Sequence, residues 1–256
     1  MRPDDYYLYE SRKPEIQAFP VQETHPVDSG RFNLNVCDFI FIGIGMGGFS
    51  SSVVCNWCMP VACLSVTILC HLANKKEQKH GYRTLYSLPV DLKKTFISKI
   101  ILTALTLLII SLLLSFITVI SECMFSGVRA ALGRSGLYAA GYCLLWLSFL
   151  WQVPFCLFLD RKIGFVGSTL INLFACALGG LFFSLTPLFW FFPYSWTARF
   201  MVTLFGVLPS GLLAETDSRL ILSPGGSLLL VLVSLLAAAV LSVSFSFWYE
   251  RQVYRK

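Results

Sequence analysis

The sequence predicts an all-α fold, a polytopic helical membrane protein, and two observations carry that reading. Of 256 residues, 56% are hydrophobic and only 13% are charged, about half of the roughly 25% charge usual in a soluble domain. The charges are also clustered: none lies between Lys99 and Glu122, Arg134 and Asp160, Lys162 and Arg199, or Arg219 and Glu250. Each gap is at least as long as the ~20 apolar residues that carry a helix across a bilayer. A soluble enzyme, a disordered chain and a nucleic-acid binder are thereby excluded. An outer-membrane barrel would instead alternate apolar and polar residues over about ten positions. The net charge of +6 belongs to loops and serves as a guide to orientation.

Residues 1–38 carry four basic and seven acidic side chains with Pro3, Pro14, Pro20 and Pro26, which reads as a solvated, poorly ordered tail without the pattern of a secretion signal. The rest, 39–256, reads as one transmembrane domain. Residues 39–74 are free of charge. Their first half is rich in glycine and serine and makes at best a half-span; the second, from Cys58, makes a span ending near Ala73. Residues 74–99 form the densest charge cluster, broken by Pro89. Asp91 is placed to cap the helix that follows, which runs from Lys93 to about Ile120. The next span is 136–159, with Pro154 as a kink candidate, and Asp160, Arg161 and Lys162 are expected in the loop after it. Another span, 163–192, ends in aromatic residues suited to the headgroup level. Residues 193–224 are apolar but broken by Pro193, Pro209, Gly211 and Pro224, as in a membrane-dipping or interfacial segment. The final span is 227–248. Five spans are full length, and the glycine-rich stretch makes a sixth.

Basic residues set the orientation. The segments 74–99, 161–162 and 251–256 fall on one side with twelve Lys/Arg, against four in the opposite loops. The richer side, with the C-terminus, is expected to be cytoplasmic. No charge interrupts the apolar stretches, which argues against ion coupling.

Gly43, Gly45 and Gly48 match G-x-G-x-x-G, but no acidic residue follows until Glu77, so helix packing fits better than dinucleotide binding. Cys55 and Cys58 form a C-x-x-C at the mouth of a span, the spacing of a thiol redox pair, without the βαβ context that usually accompanies it. Most other cysteines sit in apolar runs as small hydrophobes. His25, His71 and His80 share no metal-ligand spacing, and no phosphate-binding G-x-x-x-x-G-K-[ST] occurs. No metal and no cofactor is expected in this chain. The 74–99 loop holds more than charge: Tyr82, Leu85 and Tyr86 recur at helical spacing, so a short helix there would present an apolar face with Leu88 beside it.

Two stretches carry a family resemblance. Tyr-Arg-Thr-Leu-Tyr-Ser-Leu-Pro-Val-Asp-Leu-Lys-Lys, from Tyr82, precedes a span opened by Ser-Lys-Ile-Ile-Leu. Phe-Pro-Tyr-Ser-Trp-Thr-Ala-Arg-Phe-Met, from Phe192, precedes Gly-Val-Leu-Pro-Ser-Gly-Leu-Leu from Gly206. In this order they resemble ABC-2-type permeases, in particular the permease subunits of lantibiotic-immunity ABC transporters, over about residues 56–256. The resemblance implies six spans, a second permease chain and a separate ATPase subunit that binds ATP. It implies a coupling helix within 77–91, with Glu77, Tyr82, Arg83, Leu85, Tyr86, Leu88 and Pro89 at the ATPase contact. It implies an outer-face element containing Pro193, Tyr194, Trp196, Arg199, Pro209 and Gly211. The expected task is expulsion of an amphipathic, cationic bacteriocin from a bacterial cytoplasmic membrane; the chain itself is then a transport subunit and not an enzyme. Residues 1–55 depart from the family's start. The alternatives are a general ABC-2 exporter of drug, lipid or polysaccharide, a membrane thiol oxidoreductase built on Cys55 and Cys58, and a membrane scaffold.

Overall fold

The computed structural model describes residues 53–79, 92–210 and 220–251. The tail, the glycine run, Asp91, Gly211 and the predicted coupling residues from Tyr82 to Pro89 lie outside them. Among the described residues the chain is all-helical. Four helices are long and apolar enough to cross a membrane: Val53–Lys75, Leu92–Met124, Gln152–Leu185 and Pro224–Arg251. In lipid, a backbone must satisfy its own hydrogen bonds, so helices of this length are what such apolar runs can form.

The helices are α1 (Ala62–Lys79), α2 (Leu92–Ser126), α3 (Val128–Phe149), α4 (Gln152–Leu181), α5 (Pro193–Phe205) and α6 (Pro224–Arg251). A π-helical turn, Trp57–Val61, precedes α1 and contains Pro60. Proline has no N–H and its ring conflicts with the carbonyl four residues back, and one widened turn accommodates both effects. Gly127 alone links α2 to α3. These two helices run antiparallel, with the Trp146 Nε1–H donating to the Ala104 carbonyl at 2.9 Å and the Thr118 and Tyr142 hydroxyls 2.9 Å apart.

The structure moves the next two boundaries. The predicted 136–159 span breaks at Leu150 and Trp151, where shorter i→i−3 bonds join Leu150 to Leu147 and Val153 to Leu150. Pro154 causes this: it lies four residues after Leu150, so its ring would strike that carbonyl in a continuous helix. Asp160, Arg161 and Lys162 are not in a loop but on α4. The reversal falls at Gly164, whose φ of 79° and ψ of 175° interrupt the helix. A side chain there would be strained, and glycine adopts that conformation freely. Before Gly164, α4 runs alongside α1 in the same direction: Cys70 meets the Val153 carbonyl and Asn74 the Leu157 carbonyl. After it, α4 runs back, with Asn172 bonded to the Cys63 carbonyl and Cys176 to that of Met59. The sequence placed the turn by its charges; glycine geometry decides it.

The predicted 163–192 span is helical only to Leu181. Two short 3₁₀ turns, Phe183–Leu185 and Pro187–Phe191, lead into α5. Every α5 residue from Tyr194 to Phe205 is buried. The predicted interfacial segment therefore enters the bundle core, where Tyr138, Tyr142, Trp151, Phe200 and Phe205 pack together. The aromatic residues expected at the headgroups divide: Phe189, Tyr194 and Trp196 are buried, while Phe191 is 86% exposed. α6 packs along the end of α3 and the start of α4, with Ser234 bonded to the Leu147 carbonyl and Phe245 stacked on Phe158 at 4.3 Å.

Candidate functional site

Four helices bring polar side chains to one end of the bundle. Asp160, 1% exposed, is the centre. One carboxylate oxygen faces His71 Nδ1 at 3.0 Å, and the other accepts from the Asn74 amide at 2.9 Å. His71 and Asn74 reach it together because they are three residues apart on α1, one turn on the same face. The Asn74 side-chain oxygen accepts from the Lys99 ammonium at 3.1 Å, and Lys99 also donates to the Tyr249 hydroxyl at 3.5 Å. The Arg161 guanidinium lies 4.0 Å above the Tyr249 ring. His71 also packs on Phe165, just past the Gly164 reversal, at 4.7 Å. The network thus ties α1, α2, α4 and α6 at one level. A buried carboxylate is tolerated only when paired and hydrogen-bonded, and here it holds two donors. A half-exposed pair, Lys93 and Glu250 at 2.9 Å, closes the outside of this end.

This cluster is absent from the sequence-predicted residues. Lys99 and Asp160 were read as loop-side charges bounding apolar gaps. The helices extend past those gaps and carry both charges into the bundle, as α2 and α3 do Glu122 and Arg134 at the opposite end, 3.7 Å apart with Glu122 fully buried. The charge-free interior is therefore shorter than the charge gaps, which weakens the sequence argument against ion coupling. The available signal was His71 and Asn74, two polar residues one turn apart in an otherwise apolar run, where polar groups are expensive.

The predicted outer-face residues from Pro193 to Pro209 lie towards the opposite end, and Gly211 falls outside the described residues. Pro193 begins α5, where its missing N–H has no partner to lose. Tyr194 donates to the Asn172 side-chain oxygen at 2.6 Å, and the Asn172 amide donates to the Cys63 carbonyl at 3.0 Å, so α1, α4 and α5 are joined through one buried amide. Trp196 Nε1–H donates to the Trp190 carbonyl at 3.2 Å. Arg199 is 6% exposed, with its guanidinium 4.5 Å above Phe189 and one nitrogen 3.4 Å from the Thr186 carbonyl. Pro209 presents its carbonyl to the Cys55 thiol at 3.7 Å. Of the predicted coupling residues, Glu77 falls in the last turn of α1.

Cys58 is a free thiol, 2% exposed, and the part-buried Cys55 thiol faces the Leu208 carbonyl at 3.9 Å. A buried thiol in apolar surroundings is a poor nucleophile. Changing both to serine is expected to leave any transport activity within about twofold, on the strength of that inertness; complete loss in a reductant-sensitive assay would favour the redox alternative. Among the described residues no group of three or more His, Cys, Asp or Glu is arranged to hold a metal ion.

Comparison with protein-family models, with curated proteins and with solved structures gave no match.

Proposed function

We propose that this chain is the membrane-spanning permease subunit of an ATP-driven transporter of the ABC-2 type, expelling an amphipathic, cationic peptide from a bacterial cytoplasmic membrane. The observation that carries the reading is the relation between the 80–91 segment and the polar network. That segment leaves α1 at Lys79 and enters α2 at Leu92. Asn74 and Lys99, near those two ends, are bonded to each other and, through Asp160 and Tyr249, to α4 and α6. A push on the segment is delivered where four helices are tied together, as a lever for a separate ATPase requires.

Two further features support it. The basic residues of α1, α2, α4 and α6 gather at this end, which supports reading it and the C-terminus as the cytoplasmic side. With the reversal at Gly164, α3 continued by the first part of α4 makes one crossing and the rest of α4 the next, which gives five with α1, α2 and α6, and the resemblance implies a sixth. The two 3₁₀ turns and the short, buried α5 lie between the last two crossings, where the resemblance places the outer-face element. Non-helical backbone at membrane depth is tolerated only when buried in protein or lining a cavity. Its aromatic surroundings suit an amphipathic cargo better than a polar one. The second permease chain and the ATPase supply what this chain lacks, and ATP-driven closure shifts it between two conformations.

The test is replacement of Leu85 and Tyr86 by aspartate. Membrane insertion stays normal and co-purification with the partner ATPase falls at least tenfold. Unchanged co-purification would overturn the assignment of the docking segment. Retained ATPase binding by the unaltered chain without any gain in peptide tolerance would point to the general exporter instead.

A further inference from the structure

One feature at the basic end is used neither by the polar network nor by the proposed lever. Just before the Gly164 reversal, the exposed Lys162 places its ammonium 5.1 Å from the Trp248 ring centroid, and the Arg161 guanidinium lies 6.0 Å from the same ring. Arg251, exposed, follows one turn after Trp248 on α6. The two carboxylates nearest in sequence are already engaged: Asp160 with His71 and Asn74, Glu250 with Lys93. A cation in the last turn of a helix suits the helix dipole, which accounts for Arg251. It does not account for Lys162, which sits on another helix and is drawn over the indole. Cation and aromatic ring together form a platform that is positive and sits beside lipid-facing surface: Ile163, Val166 and Leu170 lead away from it along α4, and Val243 and Val240 along α6, all exposed.

We propose that Lys162, Arg251 and the Trp248 ring, with Arg161 beside them, form a binding site for the phosphodiester headgroup of an anionic membrane phospholipid. The occupant is a lipid and not a free anion because the cations adjoin exposed apolar rows that acyl chains would cover. The ammonium and guanidinium groups take the phosphate oxygens with charge-assisted hydrogen bonds. The indole holds Lys162 in place and sits at the depth that tryptophan favours in a membrane. The site rests on the membrane reading alone and does not depend on the transport reading.

The experiment is native mass spectrometry of the full chain, released from detergent containing equal amounts of phosphatidylglycerol and phosphatidylcholine. The unaltered chain retains phosphatidylglycerol in preference. Lys162→Gln and Arg251→Gln each lower that retention about fivefold, the scale of one basic side chain's attraction to an anionic surface. Trp248→Leu lowers it as well, although no charge is lost; where that variant does not give a monodisperse peak, Trp248→Phe, which keeps a ring of weaker quadrupole, lowers it by a smaller factor. Lys75→Gln, which removes an exposed charge at the same end of α1, leaves it unchanged. Equal loss from Lys75→Gln would overturn the site in favour of a diffuse surface charge. Equal retention of phosphatidylcholine, or displacement of the lipid by inorganic phosphate at matched concentration, would overturn it too.

Discussion

Replacing Asp160 by alanine is expected to destabilise the bundle by about 3–5 kcal/mol, the cost of removing one partner from a buried charged network. The carboxylate is 1% exposed and accepts from His71 and Asn74, while Lys99 is held on the far side of that same asparagine. Its loss leaves the buried Asn74 amide with only the Leu157 carbonyl to accept from it and a cationic neighbourhood without this counter-charge. Asn74→Ala removes hydrogen bonds to the Asp160 carboxylate and the Lys99 ammonium, and a hydrogen bond to a charged group contributes about 1.5–3 kcal/mol, less than the loss of the buried charge itself. Glu250→Ala breaks the pair with Lys93, whose side chains are 35% and 34% exposed; after solvent screening such a pair contributes about 0–1 kcal/mol. Unfolding in one fixed detergent therefore ranks the losses Asp160 above Asn74 above Glu250. Asp160→Asn, which keeps an acceptor for Asn74, falls between the first two. Equal loss from Glu250→Ala and Asp160→Ala would show that water reaches the network and screens it. On the proposed permease reading, with α1, α2 and α6 untied from α4, force arriving through the 80–91 segment would no longer reach α4, so ATP hydrolysis by the proposed partner would proceed without transport.

The long helices were legible because their cause is local. An apolar run of 20 or more residues has few other ways to satisfy its backbone in lipid; α2 extends past its charge gap at both ends, and α6 begins inside its gap at Pro224 and ends just past it at Arg251. What the sequence misplaced depends on single residues acting at a distance of one turn. Pro154 breaks the helix at Leu150, not at itself, because the clash is with the carbonyl four residues back. Gly164 takes the reversal from the charged triplet before it because only its backbone conformation permits one. Residues 193–224 were read as membrane-dipping or interfacial from an apolar stretch broken by prolines and Gly211, which bear on where a helix starts but not on what covers it. That cover comes from Gly179, Tyr142 and Trp151, distant in sequence. The polar network is the extreme case: His71, Asn74, Lys99, Asp160 and Tyr249 come from four helices, and only the His71–Asn74 spacing is visible along the chain. The predicted outer residues were read as a group, and the structure brings Tyr194, Trp196 and Arg199 together on α5 while giving each a different partner.

Gly179→Ala is expected to be strongly damaging for a change of one methyl group. A Cβ at this position would lie 2.6 Å from Tyr194 Cβ and 2.9 Å from the Tyr194 backbone carbonyl carbon. Neither atom is the end of a flexible side chain, so the whole first turn of α5 must move. Forcing a methyl into a packed core costs about 1–3 kcal/mol, and here the shift also pulls the Tyr194 hydroxyl from Asn172, a bond of 2.6 Å that joins α4 to α5. The neighbouring Gly180 meets only the thioether end of Met59, which can swing aside, so Gly180→Ala costs less. Gly136→Ala has the opposite sign: nothing lies within 4 Å of the added methyl, and alanine stabilises a helix interior by about 0.5–1 kcal/mol over glycine. Thermal unfolding of the three variants in the same detergent should therefore place Gly136→Ala above the unaltered chain, Gly180→Ala slightly below it and Gly179→Ala lowest. If Gly179→Ala unfolds with the unaltered chain, α5 is not packed against α4 and the buried position of the 193–205 segment fails with it. If the ranking holds and peptide tolerance falls only in Gly179→Ala, the depth at which α5 sits in the bundle, and not its presence alone, is what the proposed permease requires.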